Sequence, residues 1–281
     1  KIREALAINE EILDAEHPQL ANSLSNVSIV LTRKREYDEA RETIGRAIAI
    51  YEETFGEAHP VVAKLRLNAS SLAHAMGDAE EAQEQANRAL QITLRDHGPE
   101  HPDTALAMLV SSNLENWLGR HELAKQQASE SIRILEPKWG EHPRVAFAYR
   151  NLGMAHRELG ELGPAVEQLE RAYEIGKRTL EDSDDHLEQI RIELAEAYVR
   201  AARYDAAVAL LEDLLSRQAN TVPARTGSVR FLLAQALWQI GRDRSRALEL
   251  ARTARGDLVA PSPGSDRVPS VEDVDRWLSG K

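Results

Sequence analysis

Cysteine is absent from this chain of 281 residues. That excludes disulfides, thiolate metal sites and a cysteine nucleophile. Aromatic residues are only 5% of the total, so an extensive core has to be built from small and aliphatic side chains. No run of about 18 apolar residues occurs, and no segment can cross a bilayer as a helix. Basic charge is in the minority, with 35 Lys and Arg against 46 Asp and Glu, and the two signs are interspersed. A duplex nucleic acid partner is not expected, because phosphate binding needs a concentrated basic face. An anionic membrane surface is disfavoured on the same ground. A secretion signal is lacking too: the opening KIREALAINEEILD is charged and amphipathic. A cytoplasmic location is expected. The chain opens with Lys and inside a helical pattern, as a piece of something longer would.

Catalytic signatures are equally scarce. The Gly-Lys of IGKRT, 175–179, lacks the earlier glycine of a phosphate loop, since Arg171 stands there. HELAK, 121–125, has Lys125 where a zinc protease helix needs its second His. In HGPEH, 97–101, two His are four apart, but Gly98 and Pro99 break the helix that would align them. There is no Gly-x-Ser-x-Gly elbow. Asn26 and Asn68 match a glycan acceptor by coincidence, inside predicted helices. No catalytic residue, cofactor or metal is expected in this segment.

What is present is repetition. His17-Pro18 returns as His59-Pro60, His101-Pro102 and His142-Pro143, in steps of 42, 42 and 41, and His186 follows with Leu187 in place of proline. A second register runs through Ala40, Ala82, Ala124, Ala165, Ala207 and Ala247. Seven residues after each come Ala47, Ala89, Ser131, Ala172, Leu214 and Ala254. Twelve before the first five come Ser28, Ser70, Ser112, Gly153 and Ala195, and Ala234 stands thirteen before the sixth. Small residues recur where two helices must approach closely. Between them, apolar residues such as Leu24, Val27 and Leu31 keep helical spacing.

These registers resemble the tetratricopeptide repeat, whose pattern is large-x2-Leu-Gly-x2-aromatic followed by Ala-x3-apolar-x2-Ala. Unit four shows it in Tyr149, Leu152, Gly153, then His156 for the usual Tyr, then Ala165, Leu169 and Ala172. The resemblance implies an all-α, right-handed superhelical solenoid of antiparallel helix pairs with a concave inner face. The period of about 42 exceeds the ordinary 34, and the added residues lie at the end of the second helix of each pair. About eight residues make roughly 12 Å of extra helix. Long second helices, a closing Gly and a His-Pro pair are similar to the kinesin-light-chain type.

The recurrent His-Pro pairs read as helix punctuation. Gly56, Gly98 and Gly140 suit a left-handed residue after a helix end. Each proline suits the first helical position, where no N–H is needed. Each His is pushed to extended backbone by that proline, and its neutral imidazole can accept a free N–H of the helix start. An imidazole that caps while neutral has its pKa lowered, so stability should fall with pH through the His range. Successive repeats set these capping histidines too far apart to share one ion.

Residues 1–16 read as the second helix of a truncated unit. Units follow at 17–58, 59–100, 101–141, 142–185, 186–222 and 223–258. EDSDD, 181–185, is an acidic turn; 259–270 lie in a Pro/Gly/Ser linker; 271–281 hold a short capping helix whose Trp277 and Leu278 fold back on the last pair.

The resemblance implies a non-catalytic scaffold that binds a peptide or partner domain in the concave groove, lined by the first helix of each pair. The groove positions carry over to Asn22, Asn26, Lys64, Asn68, Asn113, Arg150, Asn151 and Arg157. The Asn register reads Asn26, Asn68 and Asn151 but is interrupted by Val110 and Glu193. Amides can pair with the backbone of an extended peptide, and Lys64, Arg150 and Arg157 would favour acidic groups in it. An alternative comes from the C-terminal residues, from FLLAQALWQIGRD to VEDVDRWLSGK, which resemble the ends of large bacterial serine/threonine kinases with such arrays. There the segment would be a regulatory or substrate-docking arm, with the kinase motifs outside it. Oligomeric state and partner identity are not encoded legibly.

Overall fold

The computed structural model describes residues 11–14, 16–217, 223–258 and 269–281. It contains α-helices and no strand among the described residues. The chain divides into two compact units at Gly119 and Arg120. The first holds α1 (Pro18–Arg33), α2 (Tyr37–Phe55), α3 (Pro60–Met76), α4 (Ala79–His97) and α5 (Pro102–Trp117). The second holds α6 (His121–Trp139), α7 (Pro143–Glu158), α8 (Leu162–Thr179), α9 (Asp185–Arg200), α10 (Tyr204–Arg217), α11 (Pro223–Gln239), α12 (Arg244–Asp257) and α13 (Val271–Ser279). Most of 1–16 and of 259–270 lies outside the described residues.

The first helices α1, α3, α5, α7 and α9 start where the sequence supplies a cap. His17, His59, His101 and His142 sit in extended backbone, and each is followed by a proline inside the first turn. In each, Nδ1 accepts the backbone N–H two residues on, at 3.1 Å, 3.3 Å, 3.1 Å and 3.1 Å respectively. An acceptor at that place satisfies one of the donors that a helix start leaves open. The fifth junction departs from the series. Asp184 caps α9 by accepting the His186 N–H at 2.8 Å, and His186 is already helical. A carboxylate two residues earlier is the better cap once the proline is gone, and the His186 ring turns to Phe147, 4.7 Å away between centroids.

The glycines after the second helices are not left-handed helical. Gly56 has φ 87° and ψ 151°, a combination open to glycine almost alone. The helical left-handed residue occurs instead inside each pair, as at Gly77 with φ 80° and ψ 12°. At the corresponding turns of the first and fifth pairs the positive φ falls on Arg35 (63°) and Ala202 (57°).

The small-residue registers are the seams between helices. Ala40, Ala82, Ala124, Ala165, Ala207 and Ala247 are all fully buried. Gly153 is the tightest approach, since a Cβ there would meet Leu169 Cγ at 2.6 Å. Ser70 also bridges its seam, its hydroxyl donating to the Ala82 carbonyl at 2.8 Å. The second helices α2, α4 and α6 run 19 residues, whereas α12 runs 14.

Within each unit, consecutive helices pack, and first helices also meet each other: α1 with α3, α3 with α5, α7 with α9, α9 with α11. The first helices therefore form one shared face in each unit. At the C-terminal end α13 packs on α12. Val274 is fully buried, and Trp277 meets Phe231 and Trp238 edge-on at 5.9 Å and 5.8 Å. Arg255 pairs with Asp275 at 2.6 Å across the same contact.

Candidate functional site

In the first unit the face of α1, α3 and α5 presents amides. Asn22 and Asn26 lie one turn apart on α1 and are exposed. Lys64 and Asn68 hold the matching positions 42 residues on, with Lys64 exposed and Asn68 half-buried. Asn113 on α5 is half-buried. The row is held by neighbours: Asn68 donates to the Ser25 hydroxyl on α1 at 3.1 Å, and the Asn22 side chain hydrogen-bonds Tyr51. A side chain fixed in this way loses less freedom when a ligand arrives. Asparagine carries both donors and an acceptor, the requirement for reading an extended backbone.

The second unit differs. Asn151 and Arg157 of α7 are buried, and Arg150 is mostly so. Arg157 ion-pairs with Glu193 of α9, with Glu196 at 2.9 Å and with Glu158 at 3.1 Å. Arg150 reaches the same Glu193 at 3.4 Å, and Gln189 donates to it at 3.0 Å. Arg200 completes the set, 2.7 Å from Glu196 and 3.4 Å from Glu158. Burial pushes the Glu193 carboxyl up, but Arg157 and Arg150 outweigh burial and hold it down to about 2. Glu196 is raised by burial and by the Glu193 charge, against the pull of Arg157. Burial opposes charge on Arg157 too, and its three carboxylates raise its pKa nonetheless.

The eight sequence-chosen residues thus fall into two groups, one on the first-helix face of each unit. Asn22, Asn26, Lys64, Asn68 and Asn113 are accessible to a partner in varying degree. Arg150 and Arg157 already have carboxylate partners inside the protein. The signal for this was in the sequence: Glu193 stands in the register of Asn26, Asn68 and Asn151, Arg150 and Arg157 precede it by 43 and 36 residues, and a break in an amide row was a charge partner.

Two further features escaped the sequence reading. A cavity of about 300 Å³ opens between α2, α3 and α4, lined by Ile44, Ile48 and Leu72. Its polar wall includes Arg66, a buried residue that pairs with Glu52 and donates to Gln85 at 2.8 Å. The second corrects the reading of HGPEH. The His97 and His101 rings come to 4.2 Å between centroids although Gly98 and Pro99 do break the helix. The positive φ of Gly98 (81°) folds the chain back at once, so the ring ending α4 meets the ring capping α5.

A tetratricopeptide-repeat family model matches residues 2–53, 24–95, 61–136 and 112–178, together more than half of the chain. Among solved structures, a Podosopora anserina protein described as a kinesin light chain with nearly identical TPR-like repeats is 23% identical. It covers 72% of this chain and 97% of its own, with a TM-score of 0.56. BtubC (BKLC) from P. vanneervenii is 21% identical over 78% of this chain and 87% of its own, TM-score 0.61. A Rap protein complexed with Competence and Sporulation Factor is 13% identical over 99% and 83%, TM-score 0.63. At these identities the likeness is one of fold. Among curated proteins, no sequence matches.

Proposed function

This chain belongs to the tetratricopeptide-repeat family, and we propose that it is a non-catalytic scaffold that docks an extended peptide segment of a protein partner. The docking face is that of α1, α3 and α5. The observation that carries this reading is the amide row, Asn22, Asn26, Asn68 and Asn113, displayed on adjacent first helices with Asn68 braced by Ser25. Binding along such a face uses main-chain hydrogen bonds of the peptide, which suits an extended conformation. Lys64 supplies a cation on the face and with it a preference for an acidic peptide residue. Arg150 and Arg157 add little to that preference, because they are already paired with Glu193, Glu196 and Glu158 inside the protein. The Rap structure, by its description a complex with Competence and Sporulation Factor, is in keeping with a fold that holds a binding partner.

A second reading makes the segment the regulatory or docking arm of a bacterial serine/threonine kinase. Its support is the resemblance of the C-terminal residues alone.

The test is selection of binders from a random peptide phage library on the full chain, followed by affinity measurement against N26A/N68A/N113A. Loss of binding with an unchanged circular dichroism spectrum supports the amide face. Binding that survives the triple substitution contradicts it.

A further inference from the structure

We propose that His97, His101 and Asp103 form a binding site for a divalent first-row cation of the zinc class. The three side chains offer one donor atom each within 4.8 Å of one another, all in the first unit. His97 Nδ1 lies 3.3 Å and His101 Nδ1 3.6 Å from Asp103 Oδ2. Donors about 2.0–2.2 Å from a tetrahedral zinc ion sit roughly 3.3–3.6 Å apart, so both imidazoles already stand at that separation from the carboxylate, and closing the two ring nitrogens, which lie within 4.8 Å of each other, completes the triangle. Two imidazoles and one carboxylate are a donor set that zinc takes, with water in the fourth place.

Comparison with the sibling junctions of the same chain shows what is particular here. The capping His59 stacks on Phe55 at 4.9 Å, and His142 lies against Trp139 at 4.9 Å. At the third junction the stacking partner is His97, which supplies a nitrogen where the others supply carbon. The residue after the proline is Gln19, Val61 and Arg144 at the other three junctions and Asp103 at this one. Both departures from the repeat fall at one junction, and both add a ligand atom.

Hydrogen bonding does not account for the arrangement. His97 Nδ1 is buried and makes no hydrogen bond, although Asp103 Oδ2 is near, because the geometry is misaligned. An imidazole nitrogen aimed at no proton, beside a carboxylate and a second imidazole, has the surroundings of a ligand. The loop between them is braced, as the Thr104 hydroxyl donates to the Gly98 carbonyl at 2.7 Å. His97 ends α4, where the helix dipole favours a cation, and the Asp103 charge offsets the opposing dipole at the start of α5. His101 Nδ1 accepts the Asp103 N–H at 3.1 Å, so coordination through that nitrogen replaces one cap hydrogen bond. Metal and cap compete for a single lone pair, so uptake requires that cap hydrogen bond to be given up.

The experiment is isothermal titration of the metal-free full chain with Zn2+ at pH 7.5, with Co2+ absorption as a second readout. The expected result is one ion bound per chain, with affinity weakened at least tenfold by His97→Phe and by Asp103→Asn. His97→Phe copies the Phe55–His59 stack, so its thermal midpoint without metal should stay near that of the parent. Intense visible Co2+ bands of four-coordinate type should appear in the parent and not in H97F. Absence of uptake by the parent overturns the proposal. So does uptake of equal stoichiometry and affinity by H97F, which would place the ion on other histidines.

Discussion

Arg157 of α7 and Glu193 of α9 form a buried ion pair, their side chains 2% and 6% exposed. The pair ties neighbouring first helices together on the side expected to hold ligand. Removing one partner leaves the other charged group buried. R157A should therefore cost about 3–5 kcal/mol of stability, and the double variant R157A/E193A should cost less than the sum of the singles by about 1–3 kcal/mol. Urea unfolding of the three variants measures both. Additive losses would show that the pair does not couple α7 to α9. A binding test that used Arg157 would confuse unfolding with lost recognition.

The positive φ at Ala202, on an exposed turn, predicts a stabilising substitution. Non-glycine residues pay about 1 kcal/mol for that backbone region. A202G should raise unfolding stability by up to about that amount, less the added entropy of glycine in the unfolded chain. R35G at the equivalent turn should behave alike. A thermal midpoint lowered by both would mean that the turn has another conformation.

Gly153 predicts the opposite. Its Cβ would lie 2.6 Å from Leu169 Cγ and 3.2 Å from the Ala165 carbonyl oxygen, and backbone cannot give way cheaply. G153A should destabilise by about 1–3 kcal/mol, against the helix propensity gained. An unaltered denaturation midpoint would contradict the tight seam between α7 and α8.

His142 carries a pH dependence. Burial lowers its pKa from the usual imidazole value, and the Arg144 charge lowers it further. The folded state then binds fewer protons than the unfolded one. The contribution is fully present above the unfolded value of 6.5 and is lost as pH falls below it, down to the lowered folded value. Thermal midpoints between pH 7.5 and 5.5 should fall more for the parent than for H142N, which keeps a cap without the titration. Equal slopes would remove His142 from the account.

Much of the fold was legible because its constraints are local or periodic. Close helix contact demands a small residue at a fixed interval, and the buried alanines from Ala40 to Ala247 obey it. His-Pro marks a helix start through backbone restriction and one acceptor atom, and both act within two residues. What the sequence hid depended on three-dimensional competition. Asp184 displaced His186 as cap once proline was lost. Gly98 brought His97 onto His101 by a turn whose ψ no spacing rule supplies. Arg157 looked like a ligand-facing cation until α9 supplied Glu193, whose place in the amide register was visible but whose direction was not. In the first unit Asn26 and Asn68 occupy the same position one repeat apart, whereas Val110 stands at the next place in that register and Asn113 lies outside it.

The most direct test of the central claim measures peptide affinity by fluorescence anisotropy, comparing the parent with N26A/N68A/N113A for the tightest library-selected peptide. Three lost amide contacts at about 0.5–1.5 kcal/mol each predict weakening of roughly tenfold to a thousandfold. The folded state should stay intact by circular dichroism. Equal affinity in parent and variant would contradict docking on the face of α1, α3 and α5.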